Sequence, residues 1–214
     1  MTPQQPRLVV MDVDSTFITG EVVEMLAARA GSEVLVTEIT ERAMRGEIDF
    51  AESLHERVAT LAGLPESVLA DVLAEVELSP GARELVAELD ARGWPVGLVS
   101  GGFIEIVGPL AATLGITLTR ANALEVVDGR LTGRVTGAVV DRAAKAATLR
   151  DYATTVGIPM DRTIAIGDGA NDLDMLAAAG FGIAYNAKPL VCAAADAVVR
   201  DRLDAVLDLP VFAR

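Results

Sequence analysis

Arg7-Leu-Val-Val-Met-Asp-Val-Asp14 decides the fold: it is a short apolar run with β-branched residues that ends in acids and runs on into Ser15-Thr16. Pro95-Val-Gly-Leu-Val-Ser100 and Thr163-Ile-Ala-Ile-Gly-Asp168 have the same shape. Each predicts a strand buried on both faces, with polar residues at its carboxyl end. Helical patterns lie between them, Ala82 to Ala91 before the second run and Ala143 to Val156 before the third. Strands alternating with helices predict βαβ units, hence an α/β chain built on a parallel sheet with helices on both faces. In such sheets ligands bind at the carboxyl edges of the strands.

One interval breaks this rhythm. From about Glu21 to Glu77 only helical periodicity appears, punctuated by Gly31, Gly46 and Gly63-Leu-Pro65. That is far more chain than a crossover of about a dozen residues requires. It predicts a helical-bundle cap inserted over the carboxyl edge of the sheet, with residues 19–77 as the cap and 1–18 plus 78–214 as the core. Val126-Val-Asp-Gly129-Arg-Leu-Thr-Gly133 places Asp-Gly between apolar pairs and predicts a small β-hairpin flap.

The composition narrows the function classes. The 214 residues carry 31 acids against 18 bases, a formal net charge of −13. No basic run exists to neutralise phosphates of a polymer, so no nucleic-acid partner is expected. A single cysteine, Cys192, and a single histidine, His55, exclude an internal disulfide and a Cys/His zinc site. No apolar run approaches the roughly 20 residues of a membrane span, and the first residues lack the charged and apolar regions of a secretory signal. A cytoplasmic location without a membrane partner is expected. With the first strand starting by residue 7, no further domain fits ahead of it unless the chain is a fragment of a longer protein. Oligomeric state is left open, a homodimer included.

Asp12-Val-Asp14 sets two carboxylates at a strand end, where one can attack or bind metal while the other moves protons. The competing reading is a solvated turn, because Asp and Ser favour loops. Gly167-Asp168-Gly-Ala-Asn171-Asp172 follows another strand and opens a helix; its acids suit a hard cation, whose ligands are oxygens. The third glycine of a dinucleotide fingerprint is replaced by Asp172, which would repel a pyrophosphate. Parallel strands deliver their ends to one crevice, so the two acidic segments strengthen each other as a metal site.

Ser100-Gly101-Gly102 ends the middle strand with a hydroxyl and backbone N–H groups able to hold an anion. A serine nucleophile is disfavoured: Gly97-Leu-Val-Ser100-Gly101 is not the G-x-S-x-G elbow, and His55, the one available base, lies in the helical insertion. Lys145 sits near a helix start with Asp141 four residues earlier. Taken alone that spacing favours an exposed pair, yet a phosphate dianion entering a site of several acids needs a local cation. No G-x-x-x-x-G-K-[ST] loop occurs. In the cap, Phe50, Leu54 and Leu61 form one helical stripe with Arg57 nearly on it, so Arg57 either snorkels or faces a pocket as a fork for a carboxylate. Met44 and Phe50 read as cap core, and Glu21 as a helix-start acid.

The set Asp12-Val-Asp14-Ser-Thr16, Ser100-Gly-Gly, Lys145 and Gly167-Asp168-Gly-Ala-Asn171-Asp172 resembles the four-motif signature of the haloacid dehalogenase superfamily of aspartate-nucleophile phosphotransferases. Glu21, Ala43-Met44-Arg-Gly46-Glu-Ile-Asp-Phe50, Arg57, Asp128-Gly-x-Leu-Thr-Gly133 and Ala187-Lys188-Pro189 resemble its phosphoserine phosphatase branch, over Leu8 to Asp201.

The resemblance implies a Rossmann-like core and Mg²⁺-dependent hydrolysis of O-phospho-L-serine to serine and phosphate, the last step of serine biosynthesis, through an aspartyl phosphate. It implies Asp12 as nucleophile and Asp14 as general acid and base. Mg²⁺ would be held by Asp12, the Asp14 carbonyl and Asp168. Ser100, Lys145 and Asn171 would hold phosphoryl oxygens, with Asp172 organising them from behind. Glu21 would meet the ammonium, Arg57 the carboxylate, and Met44, Phe50, Gly101 and Gly102 would enclose the substrate. The rival readings are a related phosphatase or phosphotransferase for another small metabolite such as phosphohomoserine, and a non-enzymatic receiver-like module switched by aspartyl phosphorylation.

Overall fold

Strand β1 (Leu8–Met11) is the pivot of a seven-stranded sheet, in a computed structural model that describes residues 5–45 and 47–213. The others are β2 (Val96–Phe103), β3 (Leu118–Val127), β4 (Arg130–Thr136), β5 (Thr163–Gly167), β6 (Phe181–Tyr185) and β7 (Ala197–Val199). The spatial order is β4-β3-β2-β1-β5-β6-β7, with every pairing parallel except β3 with β4. The chain builds outward from β1 on one side through β2 and β3, then crosses to the other side for β5. The strand order therefore reverses at β1, where a crevice opens beyond the carboxyl ends.

Alternation along the strands divides the core into two layers. Val9, Met11, Leu98, Ile164, Ile166 and Ile183 belong to the cluster on one face. Leu8, Val10, Val99, Ala165 and Ala184 belong to the cluster on the other. Helices α5 (Ala82–Ala91) and α6 (Ile104–Ala112) cover the first face, α5 through Ala82, Leu85, Val86 and Leu89, at the spacing of one helical stripe. Helix α7 (Arg142–Val156) covers the second through Leu149, Tyr152 and Ala153; α8 (Leu173–Ala178) and α9 (Pro189–Ala194) add Met175, Leu176 and Val191. Each such aliphatic side chain removed from water contributes about 1.5–3 kcal/mol.

Four helices stand between β1 and α5: α1 (Val22–Ala30), α2 (Glu33–Met44), α3 (Phe50–Ala59) and α4 (Val68–Glu75). The hairpin β3–β4 turns at Asp128 and Gly129, whose φ values of 50° and 71° are those that a two-residue turn of this hand demands. It clasps the turn after α3: Gly63 N–H donates to Leu131 O at 2.8 Å, Leu131 N–H to Leu64 O at 2.9 Å, and Glu66 N–H to Gly129 O at 2.9 Å. Among the described residues no helix is long and apolar enough to cross a membrane.

The three strands expected from sequence are present, with shifted ends. β2 runs past Ser100 to Phe103, because Gly101 and Gly102 stay extended while leaving their pairing with β3. α3 stops at Ala59, so Leu61, though fully buried, lies in the following turn and not on the helical stripe.

Candidate active site

Register brings the strand ends together. Met11 pairs with Leu98 on one side and Ile166 on the other, so Asp12 stands one residue, and Ser100 and Asp168 two residues, beyond the same level of the sheet edge. Asp12 ends β1 in extended conformation, and its N–H donates to Ile166 O at 2.9 Å. The chain then forms a wide turn over Val13–Phe17, closed by Ile18 N–H to Val13 O at 3.0 Å, with Ser15 at φ 56°. This turn swings Asp14 out of the strand. Val22 N–H at the start of α1 donates to its Oδ1 at 2.9 Å, and the Ser100 hydroxyl to its Oδ2 at 2.8 Å.

Lys145 is fully buried and supplies the local cation. Its Nζ lies 2.7 Å from Asp12 Oδ1 and 2.7 Å from Asp172 Oδ1. Asp141, four residues earlier, does not pair with it; its carboxylate caps α7 by accepting Ala144 N–H at 2.8 Å. The exposed pair that the spacing favours is thus absent, because α7 lays this face on the sheet. Burial alone would lower the Lys145 pKa, but the two carboxylates overcome it and hold the ammonium above its ordinary value. Asp172 is saturated: Oδ1 faces Lys145, and Oδ2 accepts Asp168 N–H at 3.2 Å and Gly169 N–H at 3.0 Å.

Asp168 accepts the Thr16 hydroxyl on Oδ1 at 3.0 Å. Carboxylate oxygens of Asp12, Asp168 and Asp172 come within 4.8 Å of one another. Burial pushes the Asp12 carboxyl well above its ordinary value and Asp172 adds to it, with Lys145 opposing. Burial and Asp172 push Asp168 up as well. Three acids against one ammonium leave surplus negative charge, and hard oxygen donors in that balance fit a divalent cation. With Asp172 already committed, Asp12 and Asp168 are the side chains free to hold it.

A cavity of about 660 Å³ opens above these acids. Asp12, Asp14, Gly101, Gly102, Asp168 and Asn171 line its floor, and Glu21, Phe50 and Arg57 line it from the helical segment. Ser100 and Lys145 lie fully buried behind the floor, so in this state both act through the carboxylates they hold. The floor is tight at its glycines: a Cβ on Gly102 would stand 2.7 Å from Asp14 Oδ2, and one on Gly101 2.9 Å from Phe50 Cζ, so either side chain would have to shift. The side chain of Met44 and the whole of Gly46 lie outside the described residues. His55 is exposed, Trp94 is packed in the core and Cys192 is half-buried.

Glu21 and Arg57 are anchored separately. The Ser15 hydroxyl donates to Glu21 Oε1 at 2.8 Å, and Arg57 Nε donates to Ser53 O at 3.2 Å. Burial, then Asp14, lifts the Glu21 carboxyl from 4.5 to about 7; burial lowers the Arg57 guanidinium, with Glu21 opposing. The folded chain therefore holds a proton on Glu21 that the unfolded chain releases. That favours folding below about pH 4.5, and the advantage is lost as pH rises through about 7. Glu21→Gln, without cation or substrate, is expected to raise Tm at pH 8 by roughly 5–10 °C, corresponding to on the order of 3 kcal/mol, and to leave it unchanged near pH 4. An equal or lower Tm at pH 8 would contradict the assigned cost of its charge.

Residues without a sequence expectation complete the site. Thr16 orients Asp168, and Arg142 and Lys188 bring cations to the cavity wall. Thr16 and Lys188 stand within quoted motifs, but only the tertiary placement shows which way they face.

Residues 9–177 match the haloacid dehalogenase-like hydrolase family. The chain is 58% identical over 204 residues to phosphoserine phosphatase SerB2 of Mycobacterium tuberculosis, covering 95% of this chain and 50% of that one; it spans about half the length of that relative. It is 55% identical over 184 residues to the phosphoserine phosphatase of Streptococcus thermophilus, covering 86% of each. A solved phospho-aspartyl intermediate analogue of a phosphoserine phosphatase superposes with a TM-score of 0.89 at 38% identity, covering 96% of this chain and 99% of that one. From the strand-end acids, the inserted helices and these likenesses, the chain belongs to the phosphoserine phosphatase family of haloacid dehalogenase-like hydrolases.

Proposed function

We propose that this chain is a Mg²⁺-dependent phosphatase that hydrolyses O-phospho-L-serine to serine and phosphate through a phosphoryl group carried on Asp12. The observation that carries the reading is one cavity with Asp12, Asp14 and Asp168 on its floor and Glu21 and Arg57 on its helical wall. A phosphate monoester entering there meets a carboxylate nucleophile at one end and two opposite charges for a zwitterion at the other.

The carboxylate of Asp12 attacks phosphorus in line with the serine oxygen. Asp14, held by Val22 N–H and the Ser100 hydroxyl, gives the departing oxygen its proton, then takes one from the water that cleaves the phosphoaspartate. Lys145 fixes the Asp12 carboxylate and Asn171 lines the cavity as a donor for phosphoryl oxygens, while Ser100, whose Oγ accepts Gly102 N–H at 2.7 Å and donates to Asp14, would turn to those oxygens only on releasing Asp14. Mg²⁺, when bound by Asp12, Asp168 and the Asp14 carbonyl, supplies the positive charge that lets an anion attack a dianion. Residues 19–77 serve as the cap, excluding water during the first half of the cycle. A cytoplasmic enzyme of a free metabolite, independent of nucleic acid and membrane, completes the reading.

The test is phosphate release over a panel of amino acid and sugar phosphates, with and without Mg²⁺. Phosphoserine is expected to be the optimum and Mg²⁺ to be required. Arg57→Ala is expected to raise KM for phosphoserine roughly 30-fold or more, since it removes a buried charged partner, and to spare an aryl phosphate that has no carboxylate. A flat panel, or an Arg57→Ala variant with unchanged KM, would overturn the substrate assignment.

A further inference from the structure

Asn122 on β3 touches neither the acids nor the cavity, yet it joins the two segments that build the phosphate side of the site. The pairing of β2 with β3 runs Val99↔Arg120 and resumes at Phe103↔Asn122, so four steps on β2 face two on β3. The surplus is the Ser100-Gly101-Gly102 bulge, which aims this backbone at the cavity and takes Gly101 out of the ladder. Asn122 is 2% exposed, and its Nδ2 donates to Gly101 O at 2.8 Å. Its Oδ1 accepts Val140 N–H at 2.7 Å. Val140 immediately precedes Asp141, the cap of α7, and Lys145 follows one turn later.

We infer that Asn122 is a positioning residue that sets the distance between the Ser100–Gly102 backbone and Lys145. The primary amide gives a donor and an acceptor on separate atoms, replacing the peptide group that a regular strand would have offered. Loss of the Val140 bond leaves a buried backbone N–H unpaired, loss of the Gly101 bond frees the bulge, and either lets bulge and helix start drift apart. The inference rests on the phosphatase reading and names a residue that this reading does not otherwise use. Because Glu21 and Arg57 are anchored elsewhere, the effect falls on the chemical step and not on holding the amino acid end.

The experiment compares Asn122→Asp, which keeps the acceptor for Val140 and loses the donor to Gly101, with Asn122→Ala, which loses both. Turnover of phosphoserine is measured at saturating Mg²⁺ and corrected for the folded fraction by circular dichroism. Each variant is expected to lose kcat by about 30- to 100-fold, as for a misplacement near 1 Å, with KM within threefold of the unaltered enzyme. A kcat that falls only with the folded fraction, or a change confined to KM, would overturn the inference. Amide exchange in the unaltered protein decides the matter even if a variant does not fold. The Val140 amide proton is expected to be strongly protected, and exchange at the rate of a free loop would overturn it. An unaltered enzyme inactive on phosphoserine would count against the phosphatase reading itself, whereas active variants in an active background count against Asn122 alone.

Discussion

Asp12→Asn is expected to lower phosphate release from phosphoserine by at least about 10⁴-fold, the scale seen when a covalent nucleophile is removed. The amide matches the carboxylate in shape but offers no anionic oxygen to phosphorus. Folding should survive, because the change removes a charge that burial and Asp172 already disfavour, and Lys145 keeps its bond to Asp172. Tm is therefore expected to be unchanged or higher while turnover collapses. Steady-state phosphate release and a thermal melt on the same preparation check both halves. Retention of more than a few per cent of activity would exclude Asp12 as the attacking group.

Lys145→Met separates charge from chemistry in the opposite direction. The methionine fills similar space, but Asp12 Oδ1 and Asp172 Oδ1 then share a buried site without the ammonium that lies 2.7 Å from each. Breaking a buried ion pair from one side costs about 3–5 kcal/mol, so Tm at pH 8 is expected to fall by roughly 10 °C. Turnover is expected to fall at least about 10³-fold, as when an oriented cation is lost from a phosphoryl-transfer site.

The sign with pH follows from the carboxyls. Without Lys145 the Asp12 pKa, already raised by burial, rises further, and the folded chain takes up a proton that the unfolded chain releases. The deficit in Tm should then be small near pH 4 and full at pH 8. A variant that melts with the unaltered protein at pH 8 would show that Lys145 does not hold these acids together.

The fold was legible where local pattern and tertiary role agree. β1, β5, α5 and α7 stand within a few residues of the apolar runs and stripes that announce them, because both faces of a central parallel strand are buried and each covering helix needs one apolar side. The short strands β6 and β7 carry no comparable signal; Phe181-Gly-Ile-Ala-Tyr185 is five residues broken by glycine, and β7 is three. These become strands through the ladder beside them.

The site divides in the same way. The acids at Asp12, Asp14 and Asp168 were legible because a strand end is a local event whose neighbours follow from sheet order. Lys145 was ambiguous, since spacing from Asp141 describes an exposed helix face equally well, and the packing of α7 on the sheet decided it. Asn122 was invisible: its two bonds exist because β2 slips two residues against β3, and no residue pattern in either strand encodes that slip.

On the proposed route the phosphoryl group passes through a covalent bond to Asp12. The most direct measurement is acid quenching during turnover of phosphoserine with Mg²⁺, then borohydride reduction, which converts an acyl phosphate to an alcohol, and peptide mass spectrometry. Homoserine is expected in place of Asp12 and at no other acid. Reduction product at Asp14 or Asp168 alone, or none at any acid while phosphate is being released, would contradict it.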